Sequence, residues 1–279
     1  MKTTHRHIFL VFLFLSFCLI NNAGNYLKKK DTNPVKGKGE IKAGKVWVFI
    51  LAGQSNMAGR GTVEAEDTVT SPRVLSINAK GELIPAKEPI HFYEPKMKGL
   101  DCGLSFGKEL LNYIPSDVTV LIIPTAIGGS SINQWINDSI FRGVKLLTNF
   151  REKVEIGKRY GVIKAVLWHQ GESDANPNGI KYRKEKLKTL FTAFRNSVGN
   201  SSLPILMGEL GSYSKNKEMW MQLNEQIRLY STSDVNTAVI STSDFKDRGD
   251  FTHFTSEGQR EMGKRFAKAY IQKFEPALK

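Results

Sequence analysis

Acidic side chains are scarce in this sequence, as are cysteine, histidine and long apolar runs, and each shortage removes a class of explanation. Across 279 residues, 27 Asp and Glu stand against 40 Lys and Arg, a formal net charge of +13. Only two cysteines occur, and Cys18 lies inside an apolar N-terminal stretch. Removal of that stretch leaves Cys102 alone, so no intramolecular disulfide can form and stability must come from a buried core. With 41% hydrophobic residues, the chain is long enough to bury one sizeable α/β core. The longest N-terminal apolar segment, Ile8 to Ile20, is too short to span a bilayer comfortably. Behind the basic start Met1-Lys2-Thr3-Thr4-His5-Arg6-His7 it reads as a secretory signal over residues 1–23, cleaved near Ala23 or Gly24. Phe17 is bulkier than the small residue that precedes a lipidated cysteine, which argues against lipid attachment at Cys18. The lysine-rich segment 24–44 reads as a flexible leader, and residues 45–275 as a single domain. The expectation is a secreted or periplasmic protein with no stable membrane insertion once the signal is cut.

Other absences narrow the chemistry. There is no Gly-x-Gly-x-x-Gly, no phosphate loop and no cysteine-histidine set at metal spacing, so no cofactor and no metal are expected. Zinc-finger spacing and aromatic-basic recognition motifs are missing too, and nucleic acid is not an expected partner. Positive charge favours acidic partners such as an acidic polysaccharide, although surface lysines can equally serve solubility.

What is present alternates. Apolar strand-like runs at Val46–Ala52, Val118–Ile123, Val162–Trp168, Ile205–Gly208 and Ala238–Ser241 are separated by helical patterns. The helices are expected at Leu104–Tyr113, Phe141–Tyr160, Tyr182–Val198, Lys217–Tyr230 and Ser256–Phe274, with a short extra strand near Val74–Ile77. That alternation predicts a three-layer α/β/α sandwich with a mainly parallel central sheet. In such sheets the ligand crevice lies at the carboxyl ends of the strands. Three polar clusters fall there: Gly53-Gln54-Ser55-Asn56-Met57, Gly128-Gly129-Ser130-Ser131 and His169-Gln170-Gly171-Glu172-Ser173-Asp174.

Ser55 directly after a buried strand reads as a nucleophile. A serine hydroxyl needs an imidazole to take its proton and a carboxylate to fix the imidazole tautomer. Beyond the signal only His91, His169 and His253 remain, and Asp250-Phe251-Thr252-His253 offers both groups three residues apart. Glu172 is the alternative acid. His169 reads as a loop-stabilising residue and His91 as a surface or loop histidine. Ser105 sits in Gly103-Leu104-Ser105-Phe106-Gly107, a Gly-x-Ser-x-Gly match, but no apolar strand precedes it and it reads as structural.

The blocks Gly53-Gln54-Ser55-Asn56-Met57-Ala58-Gly59, Gly128-Gly129-Ser130-Ser131, Trp168-His169-Gln170-Gly171-Glu172-Ser173-Asp174 and Asp250-x-x-His253 resemble, in order, those of the carbohydrate-esterase branch of the SGNH hydrolases. That branch includes acetylxylan esterases and sialate O-acetylesterase-like proteins, and the likeness runs from about Val46 to Tyr270. The resemblance implies a serine esterase that removes O-acetyl groups from a poly- or oligosaccharide. It implies Ser55 as nucleophile, His253 as base, the backbone N–H groups of Ser55 and Gly129 as oxyanion donors, and the Gln170 side chain as a third. Gln54, Asn56 and Trp135 are then candidate substrate contacts, with Trp135 as a sugar platform and Trp168 as core. A lipase or thioesterase of the same fold, and a carbohydrate-binding protein without catalysis, remain the alternatives.

Overall fold

The computed structural model describes residues 45–278. The signal and leader expected over 1–44 lie outside the described residues. The strands are β1 (Val46–Gly53), β2 (Val74–Ile77), β3 (Leu83–Pro85), β4 (Thr119–Pro124), β5 (Ile140–Phe141), β6 (Val144–Lys145), β7 (Val162–His169), β8 (Ile205–Gly208) and β9 (Thr237–Ile240). The helices are α1 (Ser55–Ala58), α2 (Gly103–Leu110), α3 (Ile132–Ile136), α4 (Leu146–Tyr160), α5 (Pro177–Lys181), α6 (Arg183–Val198), α7 (Lys217–Ser233) and α8 (Ser256–Phe274). Seven strands form one sheet in the order β3-β2-β4-β1-β7-β8-β9, parallel throughout except where β3 runs against β2.

Strand periodicity explains the layers. Side chains alternate across a sheet, so Val48, Ile50 and Ala52 of β1 join Trp168 of β7 and residues of α4, α6 and α7 in one core, while Phe49 and Leu51 face α2 and α8 in the other. Both faces are covered, which is why the central strands read as unbroken apolar runs rather than alternating ones. The covering helices are sited by small local features. Thr255 caps α8 by accepting the Gly258 N–H, and α6 ends where Gly199 turns left-handed.

The middle of the sheet positions the site. β1 pairs with β4 on one side and β7 on the other, in a register that sets Leu51 beside Pro124 and Gly53 beside His169. From β1 the strand order reverses, β2 and β4 lying to one side and β7, β8 and β9 to the other. The three polar clusters therefore emerge together at the switch point.

One helix begins later than its sequence pattern suggests. The helix expected from Phe141 starts at Leu146, because Ile140–Phe141 pairs with Val144–Lys145 in a small antiparallel ribbon. Arg142 and Gly143 both take positive φ at its tip.

Candidate active site

The chain turns sharply after β1. Gly53 has φ +139°, and a Cβ there would lie 2.0 Å from the His169 carbonyl oxygen, so only glycine fits between the ends of β1 and β7. Gln54 N–H then donates to that same carbonyl at 3.0 Å. Ser55 follows as the first residue of α1, with its side chain at the sheet's carboxyl edge.

Across the crevice, the loop before α8 brings the partners. His253 Nε2 lies 2.9 Å from Ser55 Oγ, and His253 Nδ1 lies 2.8 Å from Asp250 Oδ2. Asp250 Oδ1 accepts the backbone N–H groups of His253 at 2.8 Å and Thr252 at 3.0 Å. Burial would raise the Asp250 carboxyl, but those two N–H groups and the imidazole outweigh it and hold it below the usual carboxylate range. With Asp250 ionised, Nδ1 carries the proton and Nε2 is left to accept one from Ser55.

Glu172 plays another part. Its Oε1 accepts from Asn56 Nδ2 at 2.7 Å, and its Oε2 accepts from its neighbour Gly171 N–H. Asn56 Nδ2 also donates to the Thr252 carbonyl at 3.0 Å, and Asn56 Oδ1 accepts the Phe254 N–H at 3.0 Å. Asn56 thus grips both neighbours of His253, and it is itself held by Gln259 Nε2 on its backbone carbonyl. This corrects the expectation of a substrate contact at Asn56. The side chain is buried and joins the serine turn to the histidine loop.

Gln54, Gln170 and Trp135 are corrected in the same way. Gln54 is buried, its Oε1 accepting from Gln170 Nε2 and Ser173 N–H. Gln170 is wholly buried, and the two hydrogens of its Nε2 are claimed by Gln54 Oε1, the Ser130 carbonyl and Asp174 Oδ2. No hydrogen is left for an oxyanion. Its Oε1 accepts from Arg183, a buried guanidinium that burial pulls down to about 10 and that stays charged at neutral pH. Trp135 is 0% exposed, edge-on to Trp168 and Phe194, with its indole N–H donated to Ser130 Oγ. It cannot meet a sugar.

Two backbone donors remain. Among the described residues no acceptor takes the N–H of Ser55 or of Gly129. Gly129 has φ +81°, and its neighbour Gly128 N–H is anchored on Glu94 Oε2 at 2.7 Å. Glu94 is paired with buried Arg60 and with Arg142 from the ribbon tip. Burial would raise its carboxyl, yet Arg60, the Gly128 N–H and Arg142 hold it below the usual range. Neither Arg60 nor Glu94 stood out in the sequence, since their link runs between distant loops.

The other histidines are accounted for. His169 is fully buried and donates from Nε2 to the Glu209 carbonyl at 2.9 Å; burial lowers its affinity for a second proton. His91, expected on a surface or loop, lies in a loop but is buried rather than at the surface. Its Nδ1 meets Asp101 at 2.7 Å while its Nε2 accepts the Ala126 N–H. Ser105 lies in α2 and donates to the Cys102 carbonyl, packed against Gly263 of α8. Among the described residues no group of three or more His, Cys, Asp or Glu side chains is arranged to hold a metal ion.

The comparisons with known proteins point the same way. Residues 45–272 match the family described as "Carbohydrate esterase, sialic acid-specific acetylesterase". A probable carbohydrate esterase of Arabidopsis thaliana is 28% identical over 246 residues, which covers 81% of this chain and 91% of the relative. An X-ray structure of an Arabidopsis thaliana protein superposes with a TM-score of 0.72 at 26% identity, covering 82% of this chain and 98% of that one. The fold is also similar to that of a carbohydrate acetylesterase from Xanthomonas citri, with TM-score 0.64, 19% identity, and 84% and 57% of the two chains covered.

Proposed function

This chain belongs to the carbohydrate esterase, sialic acid-specific acetylesterase family, and on that premise we propose that Ser55, His253 and Asp250 are the catalytic triad of an exported O-acetylesterase of the sialate type. It is a carboxylic ester hydrolase acting on acetylated carbohydrate. The observation that carries the residue assignment is the unbroken relay Ser55 Oγ to His253 Nε2 at 2.9 Å and His253 Nδ1 to Asp250 at 2.8 Å.

In this reading Ser55 Oγ attacks the acetyl carbonyl carbon while His253 Nε2 takes its proton. The carbonyl oxygen becomes an oxyanion held by the N–H groups of Ser55 and Gly129, donors that need no reorganisation as charge develops. Collapse breaks the ester C–O bond, and His253 returns the proton to the departing sugar hydroxyl. Water then attacks the acetyl-serine while His253 accepts its proton; collapse breaks the acetyl C–Oγ bond, His253 returns the proton to Ser55 Oγ, and acetate leaves.

The sialate type is favoured over acetylxylan by the family's description and by the positive charge of the chain, which suits an acidic sugar. Export is supported by the basic start and short apolar stretch of the first 20 residues. N-terminal sequencing of the exported protein should find it starting near residue 24, whereas a retained apolar segment would count against export by cleavage.

Acetate release from O-acetylated N-acetylneuraminic acid and from acetylated xylan tests the activity and its type together. The account expects the former to be the better substrate and the Ser55→Ala variant to lose several orders of magnitude in turnover. Ser105→Ala should keep turnover. Inactivation of Ser105→Ala with activity in Ser55→Ala would move the nucleophile.

A further inference from the structure

The sugar platform expected at Trp135 is buried, yet the triad loop carries another aromatic ring. Phe251 stands between Asp250 and His253 and is 46% exposed. It also has φ +59°. A bulky residue in the left-handed region is strained, and such strain gathers at functional sites. The backbone is held there because Asp247 Oδ2 accepts the Phe251 N–H at 2.7 Å.

Phe251 forms one wall of a groove of about 610 Å³ whose other walls are Tyr213, Lys215, Lys217 and Glu218. That volume falls within the range of small-molecule sites. The groove adjoins the triad loop, since Phe251 lies between Asp250 and His253, and Tyr213 Oη donates to the Thr252 carbonyl, the same atom that Asn56 grips beside His253. Its lining carries the cations Lys215 and Lys217 and the carboxylate of Glu218. The Lys215 ammonium lies 4.7 Å from the centre of the Phe251 ring, held by the ring's negative face. Among the described residues neither Lys215 nor Lys217 is in a salt bridge, while Arg195, Arg228, Arg260 and Arg265 all are.

We propose that this groove is a subsite for a carboxylate-bearing sugar ring, with Phe251 stacking on the ring's apolar face and Lys215 and Lys217 pairing with the carboxylate. The proposal rests on the esterase reading above and adds to it the residues that recognise the rest of the substrate. An aromatic face offers a pyranose an apolar contact that no hydroxyl can. Two ammonium groups without protein carboxylates can pair with a ligand carboxylate without first breaking an internal ion pair.

The test separates binding from turnover. Calorimetric titration of the Ser55→Ala protein with N-acetylneuraminic acid and with its methyl ester reads the groove without catalysis. We expect the free acid to bind about tenfold more tightly than the ester, as one good charge-assisted contact allows. Adding Lys215→Gln and Lys217→Gln should abolish that difference. Adding Phe251→Asn, which tolerates the left-handed backbone, should weaken both ligands about equally, and Phe251→Trp should restore them. Equal affinity for acid and ester, or a preference that survives loss of both lysines, overturns the proposal. Failure of the esterase reading would look different: no acetate released by the protein with Ser55 intact, while the acid still binds in the groove.

Discussion

At the residue scale, Asn56 has the most consequence relative to its prominence in the sequence. It ties Glu172 and both flanks of His253 to the turn that carries Ser55. Asn56→Ala should therefore lower kcat by about 10- to 100-fold through misplacement of the base, with a smaller effect on KM. Steady-state kinetics on 4-nitrophenyl acetate would show it, and a change confined to KM would mean the clamp does not position His253. Asp250→Asn should lower turnover by about 10² to 10⁴, since a neutral partner no longer fixes the Nδ1–H tautomer. Glu172→Gln should hurt less, because its carboxylate meets Asn56 rather than His253. Kinetics showing Glu172→Gln the more damaging of the two would invert these roles. The meeting of Ser55, His253 and Asp250 was legible because each sits beside a local signal, a strand end or a three-residue spacing. Gln54, Asn56 and Gln170 were misjudged because their partners lie in other loops, more than a hundred positions away for Asn56 with Glu172 and for Gln54 with Gln170. Trp135 was misjudged because sequence gives a tryptophan's identity but not the face it turns.

At the scale of elements, the long apolar strands were readable because burial on both faces makes them continuous. Short elements were not. β3 and α3 have too few residues to show a period, and α3 is specified instead by a capping box between Ser131 and Gln134. The late start of α4 follows from the Arg142-Gly143 turn, which a helical pattern through Phe141 conceals. Long-range ties between elements are likewise invisible in sequence. Arg260 of α8 reaches the short 3₁₀ turn Ala65–Thr68 and grips both oxygens of Asp67 at 2.9 and 2.8 Å. Burial would raise the Asp67 carboxyl, but Arg260 and the Glu64 N–H hold it below the usual range. A folded-state pKa below the unfolded one gives stability that is fully present above the unfolded value, about 3.9, and is lost as pH falls through the folded value. Asp67→Asn should thus cost about 1–2 kcal/mol at pH 7 and progressively less below about pH 4. Urea melts of both proteins across that range would check it, and a gap that stays constant down to pH 2 would contradict it.

At the scale of the whole molecule, the sequence carries a formal net charge of +13, and the site is proposed to take an acidic sugar. Exposed charges are screened beyond about 10 Å at 0.1 M salt. KM for O-acetylated sialic acid should therefore rise with ionic strength while that for neutral 4-nitrophenyl acetate stays level, and parallel behaviour of the two would leave the charge to solubility alone. The central claim is that the sheet's switch point presents Ser55 as the group that carries the acetyl. Its most direct test is peptide mass spectrometry of protein quenched during turnover of an O-acetylated sugar. The account predicts acetyl on the peptide containing Ser55 and none on that peptide in Ser55→Ala. Acetyl found on Ser105, or active turnover with Ser55 never acetylated, would contradict it.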